Sequence, residues 1–138
     1  MVFKRLFADS DVLLDLLLNR DPFHFYSEIL IMECFKNDIV LNTSALIIAN
    51  IYYLLSRQIG AKASRKKIAD LIKAVKILPL EGDIVDIALA SDFPDFEDAM
   101  QFFIAERYHC DAIITRNIKD YKHSTIPVLT AEQFLRKL

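Results

Sequence analysis

Three groups of oxygen-bearing side chains stand out by type and spacing: Asp9 and Asp11 in FADSDVLLD, Asp95 and Asp98 in DFPDFEDAM, and Asn117 with Asp120 in TRNIKDY. Asp95 and Asp98 are three residues apart, so on a helix they share one side of a turn and repel each other unless a positive charge lies between them. Gathered at one place, such oxygens suit a hard divalent cation. Mg2+ or Mn2+ takes one or two carboxylates plus waters, neutralises phosphate oxygens and activates a water for in-line attack. Every one of these acids also has an ordinary structural role open to it. Asp9 or Asp11 can cap the helix that follows, and Asp95 can cap its own helix with Asp98 favoured by the dipole.

Other chemistries lack their residues. No Ser or Cys has a partnered His, and two glycines among 138 residues cannot build a phosphate-cradling loop. His24, His109 and His123 have no zinc-ligand spacing, and Cys34 and Cys110 stand alone as expected buried thiols. The formal net charge of -2 gives no global pull on nucleic acid, so binding would rest on local clusters or on bound cations. Two basic clusters are candidates: Arg65, Lys66, Lys67, Lys73 and Lys76, which read equally as a solvated face, and Arg116, Lys119, Lys122 and His123.

The elements that must carry these residues alternate between strand and helix. Residues 4–8 read as a strand that runs into the acidic turn, and residues 12–18 as a helix. A second helix is expected over 23–35, a strand over 39–41, and a long helix over 45–58 started by Asn42, Thr43 and Ser44 and stopped by Gly60. Ser64 is expected to cap the basic helix that follows. Residues 77–80 then read as a strand near a sheet edge, because of Pro79, and Asp83 as the cap of a short helix to about Ala90. Pro94 opens the helix carrying Asp95 and Asp98, which ends near His109. The buried strand 112–115 follows, then a last strand over 126–129 and a terminal helix with a Thr130/Gln133 capping box.

This alternation predicts an α/β fold, a three-layer αβα sandwich with a central parallel sheet of four to five strands, as a single domain over residues 1–138. In such a sheet the first strand is central, so Asp9 sits where other strand ends converge on the ligand face. Asp9 is therefore the strongest single candidate. Asn50, one to two turns into its helix, reads either as a side chain reaching that cleft or as a core amide bonded to backbone. No apolar run is long enough to span a bilayer and no N-terminal signal pattern is visible, so a cytoplasmic location without membrane contact is expected.

Over nearly its whole length the chain resembles the PIN-domain nucleases. FADSDVLLDLL is similar to that family's opening strand and turn, NTSALIIANIYYLL to its second-motif helix, and DFEDAMQFFIAERYHCDAIITRNIKDY to its third and fourth motifs in order. The resemblance implies a metal-dependent ribonuclease fold, often found in bacterial toxins of the VapC type, with Mg2+ or Mn2+ held by acids while water cleaves an RNA phosphodiester. Asp9 then matches the first family aspartate and Asp98 the third acid, with Asp95 and Asp120 as further metal candidates. Asn117 falls where the last motif often has an acid. Ser10, Asp11, Thr43, Asn50, Thr115, Arg116 and Lys119 are the expected neighbours that hold these acids or meet substrate.

Two departures bear on activity. Asn50 stands where many members carry a metal-facing glutamate, and Asn117 is the second amide in place of an acid. Each swap removes a negative charge from the surroundings of a hard dication, so weakened activity is expected. The alternatives are a catalytically inactive module of the same fold that binds RNA or protein through Arg116, Lys119 and Lys122, and a haloacid dehalogenase-like phosphatase. The latter rests on ADSDVLLD, with GDIVD one residue short of that family's later motif. Expected partners are RNA, an antitoxin protein, and a second copy of the chain through exposed Phe23, Phe25, Tyr26, Tyr52 and Tyr53.

Overall fold

The computed structural model describes residues 2–138. Its core is a five-stranded, wholly parallel sheet flanked by helices, in the order β3-β2-β1-β4-β5. The strands are β1 Arg5–Ala8, β2 Val40–Ser44, β3 Lys76–Leu78, β4 Ala112–Ile114 and β5 Val128–Leu129. The helices are α1 Ser10–Leu17, α2 Phe23–Lys36, α3 Ala45–Ile59, α4 Ala61–Leu71, α5 Gly82–Leu89, α6 Phe96–Arg107 and α7 Ala131–Leu135, with a 3-10 turn at Ile118–Tyr121. Parallel strands need crossovers, and the chain supplies them as helix pairs: α1 packs on α2, α3 on α4 and α5 on α6.

β1 is central because its residues tolerate burial on both faces. Leu6, Phe7 and Ala8 are fully buried, as are Ala112, Ile113 and Ile114 beside them on β4. β3 lies at the edge, as Pro79 implied. Gly60 ends α3 at φ 86°, a left-handed conformation that costs a glycine nothing. The Thr130/Gln133 capping box is present.

Three local expectations differ from the structure. Ser64 lies inside α4, where its buried hydroxyl donates to Gly60 O at 2.7 Å; Gly60 is the cap residue. Asp83 does not cap α5, because its carboxylate is held by Arg107, with Nη1 to Oδ1 at 2.7 Å. Pro94 precedes the α6 cap, which is Asp95. As expected, α6 ends near His109: its last helical residue is Arg107, and His109 takes a positive φ of 58°, turning the chain toward β4.

Cys34 and Cys110 are free and buried, and burial pushes their thiols up to about 12 and about 11. Among the described residues no helix is long and apolar enough to cross a membrane.

Candidate active site

Parallel pairing sets the geometry at the C-terminal ends of the central strands. Ala8 pairs with Ile114, so the next residue on each strand, Asp9 and Thr115, leave the sheet side by side. Asp9 N donates to Ile114 O at 2.9 Å, and the Thr115 hydroxyl lies 3.0 Å from Asp9 Oδ2. Asp9 Oδ1 accepts the Ser10 amide at 2.8 Å, which makes Asp9 the α1 cap as well. The capping role and a ligand role are compatible, since a carboxylate offers about four lone-pair positions.

Asp11 is committed differently. Its Oδ2 accepts the Arg116 amide at 2.8 Å and lies 3.4 Å from Asn117 Nδ2, while Oδ1 accepts the Val12 amide at 2.8 Å. Asp11 thereby ties the start of α1 to the segment after β4. Asn117 contributes its amide nitrogen to Thr115 Oγ1 at 3.0 Å.

The second group arrives from α6. Asp95 Oδ1 accepts the Asp98 amide at 2.9 Å, so its structural role as a cap is real, and the side chain is exposed. Asp98, half-buried, faces the strand ends. Burial, then the charges of Asp95, Asp9, Asp120 and Glu97 in that order, push its carboxyl up to about 7. Asp9 is pushed up to about 6, mainly by burial and then by the charge of Asp11. Residues 9, 98 and 120, far apart in the chain, therefore share one electrostatic field.

The remaining expected neighbours divide. Ser10 acts through its amide and Thr115 through its hydroxyl, while Lys119 is exposed. Thr43 does not reach the site: its buried hydroxyl donates to Ala8 O at 3.0 Å, because β2 runs on through Ser44 beside β1. Asn50 is not a core amide, since its Nδ2 donates to Glu97 Oε1 at 2.6 Å. Arg116 is not a free cation; its guanidinium pairs with buried Asp15, Nε to Oδ2 at 2.7 Å.

Four polar residues at or beside the site were absent from the expectations. Glu97 lies between two singled-out acids in DFED, a spacing that was itself the available signal. Gln101, one turn beyond Asp98, accepts from the Ser44 hydroxyl at 2.6 Å. Asp15 sat within an apolar run, and Tyr121 within the charged segment KDYKH. Tyr121 is 1% exposed, its hydroxyl makes no well-formed hydrogen bond among the described residues, and its phenolic oxygen lies beside Asp9 and Asp98.

The donor set fits a hard dication. It is all oxygen, and among the described residues none of Asp9, Asp95, Asp98 and Asp120 makes an ion pair. Also among them, no three His, Cys, Asp or Glu side chains stand close enough to share one ion as they are. The acids are neighbours rather than a closed ligand shell.

Residues 5–119 match the family model described as PIN domain. The chain belongs to the PIN domain family. This PIN domain is 30% identical over 139 residues to Ribonuclease VapC1 of Aquifex aeolicus (strain VF5), an alignment covering 97% of the chain and 95% of the relative. Its membership is thus of the VapC ribonuclease type. Among solved structures it is similar to the DNA-bound VapBC of Salmonella typhimurium, with a TM-score of 0.72, 9% identity, and coverage of 93% and 98% of the two chains. It is also similar to Mycobacterium tuberculosis VapC20, described as a toxin cleaving the sarcin-ricin loop, with a TM-score of 0.61, 19% identity, and coverage of 78% and 86%. These two likenesses support the PIN-like αβα architecture. With the family shown, the phosphatase interpretation of ADSDVLLD is set aside.

Proposed function

We propose that this PIN domain is an endoribonuclease that hydrolyses RNA phosphodiesters with the help of Mg2+ or Mn2+, as the toxin of a toxin-antitoxin pair. The observation that carries the proposal is the convergence of Asp9 and Asp98, two carboxylates far apart in the chain, each raised by burial and by neighbouring negative charge. A bound dication supplies Lewis-acid stabilisation of the phosphate and a water poised for attack at neutral pH. Asp9 and Asp98 would hold it, with Asp95 and Asp120 adding negative charge around them and Asn117 contributing an amide where an acid would bind more strongly.

The chain's own groups orient this machinery. Ser10 N and Thr115 Oγ1 fix the rotation of the Asp9 carboxylate from two sides, leaving its free lone pairs for the cleft. Asp95 fixes the start of α6 and so the direction from which Asp98 enters. Asn50 and Asn117 in place of acids point to weaker cation binding than an all-acid site would give.

The antitoxin proposal is supported by the VapBC complex among the structural relatives and by apolar surface that needs a cover. Phe25, Met32 and Phe35 on α2 are exposed at 58%, 56% and 86%. Met32 and Phe35 line a groove of about 700 Å3 together with Ile31, Val40 and Ile72. Tyr52 and Tyr53 on α3, exposed at 36% and 59%, offer a second surface for another copy of the chain.

The test is cleavage of RNA by the purified chain with and without Mn2+, for the parent, Asp9→Asn and Asn50→Glu. Parent cleavage that disappears with chelator and in Asp9→Asn supports the proposal. Cleavage that survives loss of Asp9 overturns it, whereas metal-independent, salt-sensitive RNA binding without cleavage would assign the inactive-module alternative, favoured by the two amides.

A further inference from the structure

Asp15 lies on α1 one turn beyond Asp11, and its side chain is 1% exposed. Both of its oxygens are occupied. Oδ2 accepts from Arg116 Nε at 2.7 Å, and Oδ1 accepts from Arg116 Nη2 at 3.0 Å and from Arg20 Nε at 2.9 Å. The two-pronged contact fixes the guanidinium in plane as well as in position. Its opposite constraint is the Phe23 ring, whose centroid lies 4.0 Å from Arg116 Cζ.

What Arg116 carries matters more than its own side chain. Its backbone amide donates to Asp11 Oδ2 at 2.8 Å. The preceding residue, Thr115, places its hydroxyl 3.0 Å from Asp9 Oδ2, and the following Asn117 approaches Asp11 through Nδ2 at 3.4 Å. One buried carboxylate on α1 therefore anchors the three-residue segment that holds Asp9 and Asp11. A buried ion group is weak evidence of stabilisation, because apolar residues of similar volume often serve as well or better. Geometry is what this one supplies.

We propose that Asp15, acting through Arg116, is a positioning residue that sets the orientation of the Asp9 carboxylate, and that Arg116 is a clamp and not a contact to RNA. The proposal rests on Asp9 as a holder of the dication, the reading given above. Outer groups that orient a ligand typically change metal affinity by about 10- to 100-fold when removed.

The experiment compares the full chain with Asp15→Asn, Arg116→Gln and the double variant. Mn2+ affinity is measured by calorimetry, kcat and KM on RNA by cleavage, and amide exchange at Arg116 and Asn117 by NMR. Arg116→Gln leaves Asp15 paired with Arg20, so it guards against a folding failure of Asp15→Asn. The expected result is a loss of about tenfold in Mn2+ affinity in each single variant, no further loss in the double, a lower kcat with KM unchanged, and faster exchange at both amides. A raised KM with a salt slope flatter by about one in Arg116→Gln, and normal Mn2+ affinity in both single variants, would make Arg116 a phosphate contact and overturn the proposal. So would a parent that binds no Mn2+. A parent that binds Mn2+ but does not cleave RNA overturns the proposed function, while the affinities still decide the clamp.

Discussion

Asn50 Nδ2 and Glu97 Oε1 lie 2.6 Å apart, joining α3 to the first turn of α6. The helix position at which related nucleases often carry a glutamate is thus an amide that holds a carboxylate from the next motif. Replacing it by glutamate would set two carboxylates at hydrogen-bond distance. Without a cation they repel, and with one they add ligand charge. Asn50→Glu is expected to lower the thermal midpoint in chelator by a few degrees and to raise Mn2+ affinity by about tenfold, a coupling expressed by linkage. Thermal unfolding with and without Mn2+ reads both, and a midpoint indifferent to the substitution in either condition would remove Asn50 from the site.

Asp9→Asn tests the other end of the constellation. The amide oxygen can still accept from Ser10 N, so the α1 cap survives and the loss of fold stability should be about 1 kcal/mol or less. The lost charge is not replaceable. Mn2+ affinity is expected to fall at least tenfold and RNA cleavage at least a hundredfold, with the circular dichroism spectrum unchanged. An active Asp9→Asn protein would place the chemistry elsewhere.

The architecture was legible because its signals are local and repeated: apolar runs of strand length, helical spacing and Gly60 or Thr130 at a boundary. β1 at the centre followed from Leu6, Phe7 and Ala8 being apolar in succession. Asp9, Asp95 and Asp98 were legible as candidates because acids near in space repel unless a cation lies between them, even though Asp9 and Asp95 also cap helices. What stayed hidden depended on contacts across the chain. Asp15 reads as one polar residue in LLDLLL, and only the fold shows that two arginines surround it. Arg116 read as a cation free to meet substrate for the same reason, since its partner Asp15 lies 101 residues away. Ser64 and Asp83 have good capping types, yet one bonds back to Gly60 within its helix and the other is captured by Arg107.

The raised carboxyls predict how the metal-free protein responds to pH. An unfolded aspartate titrates near about 3.9, whereas folded Asp9 and Asp98 titrate at about 6 and about 7, so between those values the folded state binds more protons. Their contribution to stability is fully present below about pH 4 and is lost as pH rises through 6 and then 7. Asp98 is only half-buried, so solvent screening reduces its share. In chelator the thermal midpoint should fall between about pH 4 and pH 7, and the fall should be smaller in Asp9→Asn and in Asp98→Asn. Saturating Mn2+ should reverse the trend, because protons and cation compete for the same oxygens. A parent whose midpoint in chelator rises over that interval, with both variants following it, would mean the two carboxyls are not held in a common negative field.

Tyr121 offers the most selective substitution. The ring is packed in the core at 1% exposure, and burial together with the charges of Asp9 and Asp98 keeps the phenolic proton in place at any working pH. A buried hydroxyl without a well-formed partner ordinarily costs stability, and here it lies beside the acid whose orientation matters most. Tyr121→Phe keeps the ring volume and removes only the donor. If the hydroxyl supports Asp9 as a third donor beside Ser10 N and Thr115 Oγ1, the variant keeps its fold and a thermal midpoint within about 2 °C, but loses Mn2+ affinity by about tenfold. Thr115→Val should show the same signature, since it removes a donor to the same carboxylate. A Tyr121→Phe protein that gains stability and binds Mn2+ as the parent does would instead make the hydroxyl an unsatisfied group of the core with no part in the site.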